Sequence, residues 1–321
     1  MLTLTMRPYQ GEADLQPIAD LMNICYTADK LDDVTSITEL QNDFDTPSVD
    51  KSRDLRLWED ADGKLIAFGF LWITEPSEAI DGWLGLNVHP NKRDGNLETQ
   101  IIRWGEERMR EVEQEKGFST KLRIRSVDSD TQRIAISEKE GFKCDRYFFR
   151  MERNLAEPIP EPVFPDGFTV RQMQGEQDAE AWVDLYNNSF IDHWNHHDET
   201  VENLKHWLGR ADYRADLDLV AIANDGTFAA FCYSEIHSEY SARMGTNLSY
   251  VDILGTRRGF RKMGLGRAML LSALHKLKNA GMDIARLGVD ANNPNGALRL
   301  YESVGFCKVL TSLSYVKDVA I

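Results

Sequence analysis

The stretch Arg257–Arg267, RRGFRKMGLGR, gathers five basic residues and no acidic one in a chain whose formal charge is −15. It follows an apolar run with strand character, Leu248–Thr256. It opens the amphipathic stretch Gly264–Ala280, where Leu265, Met269, Leu270, Ala273, Leu274 and Leu277 recur at helical spacing. Gly264 and Gly266 let backbone N–H groups approach a ligand with no Cβ in the way. The head of a helix presents unsatisfied amides and partial positive charge, so this loop makes an anion cradle. A diphosphate is the expected anion, with Arg261, Lys262 and Arg267 adding positive potential. Two other phosphate motifs are excluded. G-x-x-x-x-G-K-[ST] does not occur, and a dinucleotide fingerprint continuing from Gly264-x-Gly266 needs Gly or Ala where Met269 stands.

Acid–base candidates cluster on the strand before the loop. Period-2 alternation puts Tyr250, Asp252 and Leu254 on one face, and Glu235 and His237 end the preceding strand. Asp252 is the first choice for a general base and Glu235 the second. The run Asp192-His193-Trp194-Asn195-His196-His197 offers two histidines for one helical face but no matching third and fourth ligand, so no metal is expected. It reads as a loop after the first helix of this half.

The elements that must position these residues alternate. In the second half, Phe168–Arg171, Leu217–Ala223, Thr227–His237, Leu248–Thr256, Ile284–Val289 and Lys308–Val316 read as strands. Asp178–Phe190, Gly264–Ala280 and Gly296–Val304 read as helices. Asp225-Gly226 marks a hairpin turn, and Gly281 stops its helix. The pattern predicts an α/β (α+β) layer sandwich on a mixed sheet.

The same pattern occurs twice. Residues 7–23 align without gaps on residues 171–187, sharing Arg7/Arg171, Gln10/Gln174, Gly11/Gly175, Glu12/Glu176, Asp14/Asp178, Asp20/Asp184, Leu21/Leu185 and Asn23/Asn187. The same offset pairs Gly141-Phe142 with Gly305-Phe306. The chain is therefore a duplicated domain. Leu155–Gly167 holds Pro158, Pro160, Pro162 and Pro165, four of the ten prolines, and reads as a semi-rigid spacer outside both cores. The expected division is 1–155, a linker at 156–167, and 168–321.

With 321 residues and 42% hydrophobic content, two ordinary cores fit the chain. The acidic balance, 37 basic against 52 acidic residues, argues against nucleic acid as a partner. No apolar run approaches a membrane span, and MLTLTMRPYQ has no apolar signal core, so a cytoplasmic location is expected. The four scattered cysteines read as reduced core thiols.

Arg261-Lys262-Met263-Gly264-Leu265-Gly266 resembles the R/Q-x-x-G-x-G/A signature of the GNAT superfamily of acyl-CoA-dependent N-acetyltransferases. Its downstream partner segment resembles Val289–Phe306, VDANNPNGALRLYESVGF. The resemblance covers most of residues 168–316. It implies that the amides of Met263, Gly264, Leu265, Gly266, Arg267 and Ala268 hold the pyrophosphate of acetyl-CoA. Leu254 and Thr256 would pair with the pantetheine arm through their backbone, and Asn293 would contact that arm. Tyr301 would lie beside the thioester sulfur as the acid that protonates the leaving thiolate, a role its ordinary pKa of about 10 permits. Backbone amides near Leu254 would stabilise the oxyanion.

The first half departs from the signature. Asn87–Leu97, NVHPNKRDGNL, keeps only Gly95, and Asp94 and Glu98 bring negative charge to the cradle. Ser137 stands at the offset position of Tyr301. A degenerate GNAT-like first domain without acyl-CoA binding is expected. This tandem arrangement is similar to that of mycothiol synthase-like members, except that Tyr250 stands where those would carry an acidic residue. The implied activity is acetyl transfer from acetyl-CoA to a small-molecule amine, in a ternary complex, by a monomer or homodimer with no metal and no membrane partner. The alternative is a non-catalytic acyl-CoA-binding sensor or scaffold. An acidic surface favours a cationic acceptor.

Overall fold

The computed structural model describes residues 4–319. In chain order, the first half forms β1 (Thr5–Pro8), α1 (Leu15–Ala28), α2 (Ile37–Phe44), β2 (Leu55–Glu59), β3 (Leu65–Ile73), β4 (Ile80–Val88), α3 (Asn96–Lys116), β5 (Thr120–Val127), α4 (Thr131–Lys139) and β6 (Lys143–Asn154). The second half forms β7 (Phe168–Gln172), α5 (Ala179–Phe190), α6 (Val201–Leu208), β8 (Asp218–Ala223), β9 (Phe228–Ile236), α7 (Ser238–Met244), β10 (Leu248–Thr256), α8 (Leu265–Asn279), β11 (Ile284–Asp290), α9 (Ala297–Ser303) and β12 (Cys307–Val319). Every strand and helix read from the second-half sequence is present. The short helices α6 and α7 are additional.

The compact units do not follow the expected linear division. One consists of the residues up to Tyr147 together with those from Ser312 onward, and the other is Phe148–Thr311. The reason lies in the closing strands. In the first unit the order is β1-β2-β3-β4-β5, and β5 then pairs antiparallel with the end of β12, Thr120 opposite Val319 through Val127 opposite Ser312. In the second it is β7-β8-β9-β10-β11, and β11 pairs with the end of β6, Ile284 opposite Asn154 through Asp290 opposite Phe148. In each unit one pair of neighbours is parallel, β4 with β5 and β10 with β11, and the other registered pairs are antiparallel.

The proline-rich stretch also differs from expectation. Leu155 is fully buried, and Ile159 and Phe164 pack on the core of the second unit. Arg153 donates to the Pro158 carbonyl at 2.7 Å, and the Pro160 carbonyl bonds the His275 ring of α8 at 3.2 Å. Alternating prolines leave their carbonyls unpaired, and α8 and β6 supply the donors.

Beneath this strap, the predicted apolar stripe of α8 is buried on β8–β11 with Ala221, Cys232, Val251 and Leu287. On the opposite face α5 and α6 contribute Trp182, Leu185 and Leu204 against Val220, Phe228 and Phe231. Each fully buried large apolar side chain contributes roughly 1.5–3 kcal/mol, so the two-sided cover fixes the central strands. Cys25 and Cys232 are buried thiols as expected, whereas Cys307 is exposed.

The repeat is visible as duplicated bonds. Arg7 grips Asp14 through both oxygens at 2.7 and 2.9 Å, and Arg171 grips Asp178 at 2.6 and 2.9 Å. The amides of Gln10 and Gln174 donate to the same carboxylates at 2.8 and 2.7 Å. Asn23 brackets the backbone of Thr35 as Asn187 brackets that of Glu199. The shared residues thus tie the first strand of each unit to its first helix.

Hydrogen bonds from Arg171 hold the Asp178 carboxyl below its ordinary range, against the opposing effect of burial. Asp178→Ala is expected to lower stability by about 1–3 kcal/mol near neutral pH. A depressed carboxylate contributes above its unfolded pKa of about 4 and loses that contribution as pH falls through the lower folded value. The melting-temperature gap between variant and parent should therefore narrow on acidification below pH 4; a gap independent of pH would refute the ionic assignment.

Candidate active site

β10 leads through a short turn into α8, which Gly264 caps with φ +93° and ψ −6°. Lys262 is also left-handed, at φ +63°, a conformation that strains a residue with a Cβ. The first bond of the helix runs from the Ala268 amide to the Gly264 carbonyl at 3.0 Å. The six amides from Lys262 to Arg267 donate to no group among the described residues. They are the amides that the sequence reading assigns to an anion cradle. The Ala268 amide, by contrast, is used by the helix, and its side chain is buried.

The arginines have a different task from the one expected. Arg261 donates to the carbonyls of Thr256 and Ser189 at 3.2 and 2.8 Å, and to Asp192 and Asn295 at 2.6 and 3.1 Å. Arg257 and Arg258 pair with Asp184 and Asp192. Arg267 donates to Ser303 Oγ at 2.9 Å. These cations hold the loop in shape, and Lys262 alone of the expected three makes no such bond.

A cleft of about 290 Å³ runs from the cradle past Leu254, Thr256 and Asn293 to Tyr301. It exists because β10 and β11 pair only from Leu248 opposite Ile284 to Tyr250 opposite Arg286. Beyond that point β10 stays with β9 and β11 with β6, and the gap exposes one backbone edge of β10. Arg286 sits fully buried at the fork, donating to Tyr250 Oη at 3.0 Å and to Glu152 at 2.7 Å. Asn293 Oδ1 accepts from the Asn295 amide at 2.9 Å, and its Nδ2 has no acceptor among the described residues. Tyr301 is buried to 8% exposure, yet its hydroxyl makes no hydrogen bond to the described protein. Burial, with Cys232 nearby, pushes the phenol above its ordinary pKa, so it remains a proton donor at neutral pH.

The expected alternation of Tyr250, Asp252 and Leu254 fails. A bulge between Val251 and Ile253 leaves Asp252 without a partner on β9. The extra residue turns Leu254 toward the α8 core, whereas Asp252 remains with Tyr250 on the face of α5 and α6. Asp252 is exposed to solvent, although protein atoms crowd its carboxyl. Burial and the charge of Glu235, against the weaker opposing effect of Arg210 and His237, push its carboxyl up to about 7. Glu235 lies opposite Tyr250, 3.7 Å from Arg210 and 3.6 Å from His237. His193 lines the cleft that ends at Tyr301, while Trp194 packs on Phe148 at 5.7 Å between ring centroids. Arg210 and the bulge itself were missed in the sequence; only the bulge lacked any residue signature.

The corresponding helix head of the first unit is already filled. Gly95, at φ +90°, caps α3 as Gly264 caps α8, but Glu98 Oε2 accepts from the Gly95 amide at 3.1 Å. Asp94 accepts from the Asn96 amide at 2.9 Å. The hollow between Val88, Arg93, Glu98 and Ile136 measures about 10 Å³, and Ser137 is buried.

The model of the acetyltransferase (GNAT) family matches residues 179–306. Mycothiol acetyltransferase from Thermobispora bispora is 32% identical over 180 residues, which span 54% of this chain and 58% of that protein. The mycothiol acetyltransferase of Segniliparus rotundus is 31% identical over 184 residues, covering 57% of this chain and 68% of the relative. A GCN5-related N-acetyltransferase from Sphaerobacter thermophilus superposes with a TM-score of 0.78 at 23% identity, over 99% of this chain and 96% of its own, which establishes the fold along the whole length. With the amide cradle, the forked strands and the family match falling on the same unit, the chain belongs to the GNAT family of acyl-CoA-dependent N-acetyltransferases.

Proposed function

We propose that the second unit transfers an acetyl group from acetyl-CoA to an amine of a small molecule by direct attack in a ternary complex. The observation that carries this reading is the run of six unpartnered amides opening into a cleft that ends at an unbonded, protonated Tyr301. The amides of Lys262–Arg267 bind the pyrophosphate, and the free edge of β10 with Asn293 holds the arm that follows. Asp252 takes the proton from the attacking amine on the far face of the fork, directly or through a water, with Glu235 beside it. Backbone N–H groups on that edge near Leu254 stabilise the charge developing on the thioester oxygen. Tyr301 returns a proton to the departing thiolate. The first unit binds no acyl-CoA, because Glu98 and Asp94 already satisfy its amides, and it serves as scaffold.

Calorimetric titration with CoA should give one site per chain. Replacing both Gly264 and Gly266 with valine should weaken that site more than tenfold, since the first requires a left-handed backbone and a side chain at the second would crowd Thr256. Two sites per chain, or unchanged affinity, would be incompatible with the assignment.

Tyr301→Phe should lower kcat by about 10²–10⁴-fold with CoA affinity retained. The active form of Asp252 is the carboxylate, so kcat should rise with pH through a midpoint near 7. Asp252→Asn should remove that rising limb. Tight CoA binding with no thiol release on a broad range of amines would favour a sensor or scaffold instead.

A further inference from the structure

Gly288 lies inside β11, one of the central strands, yet it is exposed. Glycine inside a strand is destabilising, and Gly69, Gly82 and Gly255, though not Gly85, have packing reasons. A Cβ on Gly255 would come within 2.2 Å of the Phe231 ring, and one on Gly82 within 2.4 Å of Met109 Sδ. At Gly288 no such reason exists. Its φ lies outside the left-handed region, and a Cβ there would meet no atom within 4 Å.

Its place in the fork gives the missing reason. Tyr250 and Arg286 are the last paired residues of β10 and β11. Two residues further along each strand stand Asp252 and Gly288, so they flank the opening on the same face. Gly288 is opposite Arg150 of β6, and Phe148, two residues before Arg150, carries Trp194 against its ring. The bare backbone thus forms the floor between the carboxylate of Asp252 and an aromatic wall.

The repeat supplies an internal comparison. Arg123 is buried on β5 as Arg286 is on β11, and both are held by carboxylates, Arg123 by Asp81 at 2.5 Å. Two residues after Arg123 stands Arg125, whose guanidinium lies 5.1 Å from the Trp83 ring centroid. The unit with a filled helix head carries a long side chain where the unit with an open cradle carries none.

We propose that Gly288 determines acceptor specificity: its missing side chain keeps open the aperture through which a wide amine reaches Asp252 and the thioester. This rests on the acetyl-transfer reading above and adds the size class of the acceptor.

The test compares Gly288→Ala, Gly288→Val and Gly288→Arg with the parent on primary amines of graded width: ethanolamine, spermidine, glucosamine and kanamycin. Acetyl-CoA affinity by calorimetry should stay within twofold, and the melting temperature of Gly288→Ala should be equal or higher. With valine, kcat/KM should fall at least tenfold more for the ring-bearing amines than for ethanolamine, and arginine should suppress all of them. Equal losses across the panel, no loss, or weakened acetyl-CoA binding would overturn the proposal while leaving acetyl transfer intact. No turnover of any of these amines by the parent would instead remove the acetyl-transfer reading, and this inference with it.

Discussion

Backbone groups that leave a sheet must find partners elsewhere, and the fork between β10 and β11 turns that requirement into a binding site. Three residue pairs hold the strands together, with Arg286 buried between Tyr250 and Glu152 at the point of separation. Past it, one edge of β10 is free for a ligand that can act as a third strand, and the head of α8 offers amides to whatever anion that ligand carries. The same separation places Tyr301 on one side of the gap and Asp252 on the other. The proposed acid and base are thus kept apart by the strand geometry itself.

The two units show how little must change to convert such a site into a structural joint. Both keep the glycine-capped helix, the arginine at the strand end and the strap between first strand and first helix. Arg93 donates to the Val88 carbonyl and pairs with Asp29, as Arg261 does with Thr256 and Asp192. The difference is that Glu98 reaches back to accept from the Gly95 amide, which satisfies one donor of the helix head internally. A ligand-binding helix head forgoes that bond, and the neighbouring arginines, locked by carboxylates, hold the loop in place without it.

Much of this was legible in the sequence because it is written in short-range patterns. The repeat, the elements of the second half, the cradle at Gly264 and Gly266, and the carboxylates of the first half all depend on neighbours a few residues apart. What was not legible depends on distant chain segments. The bulge at Asp252 has no residue signature and is imposed by the register with β9, so a strict two-residue alternation misassigned Leu254. The ion pairs of Arg257, Arg258 and Arg261 require α5 and the loop after it to be in place. Ile159 and Phe164 are the apolar residues that draw the proline stretch onto the core, and the carbonyls on either side then follow. Gly288 was visible as a glycine in the run IARLGVD, but its meaning needed the empty space around it.

The closing strands set a limit on how this chain can be divided. Each compact unit draws its sixth strand from the other half of the sequence. A cut at the prolines would leave β6 with the first half and β12 with the second, separating each sheet from the strand that closes it here. The sequence repeats, but each sheet is completed by a strand that the other repeat contributes.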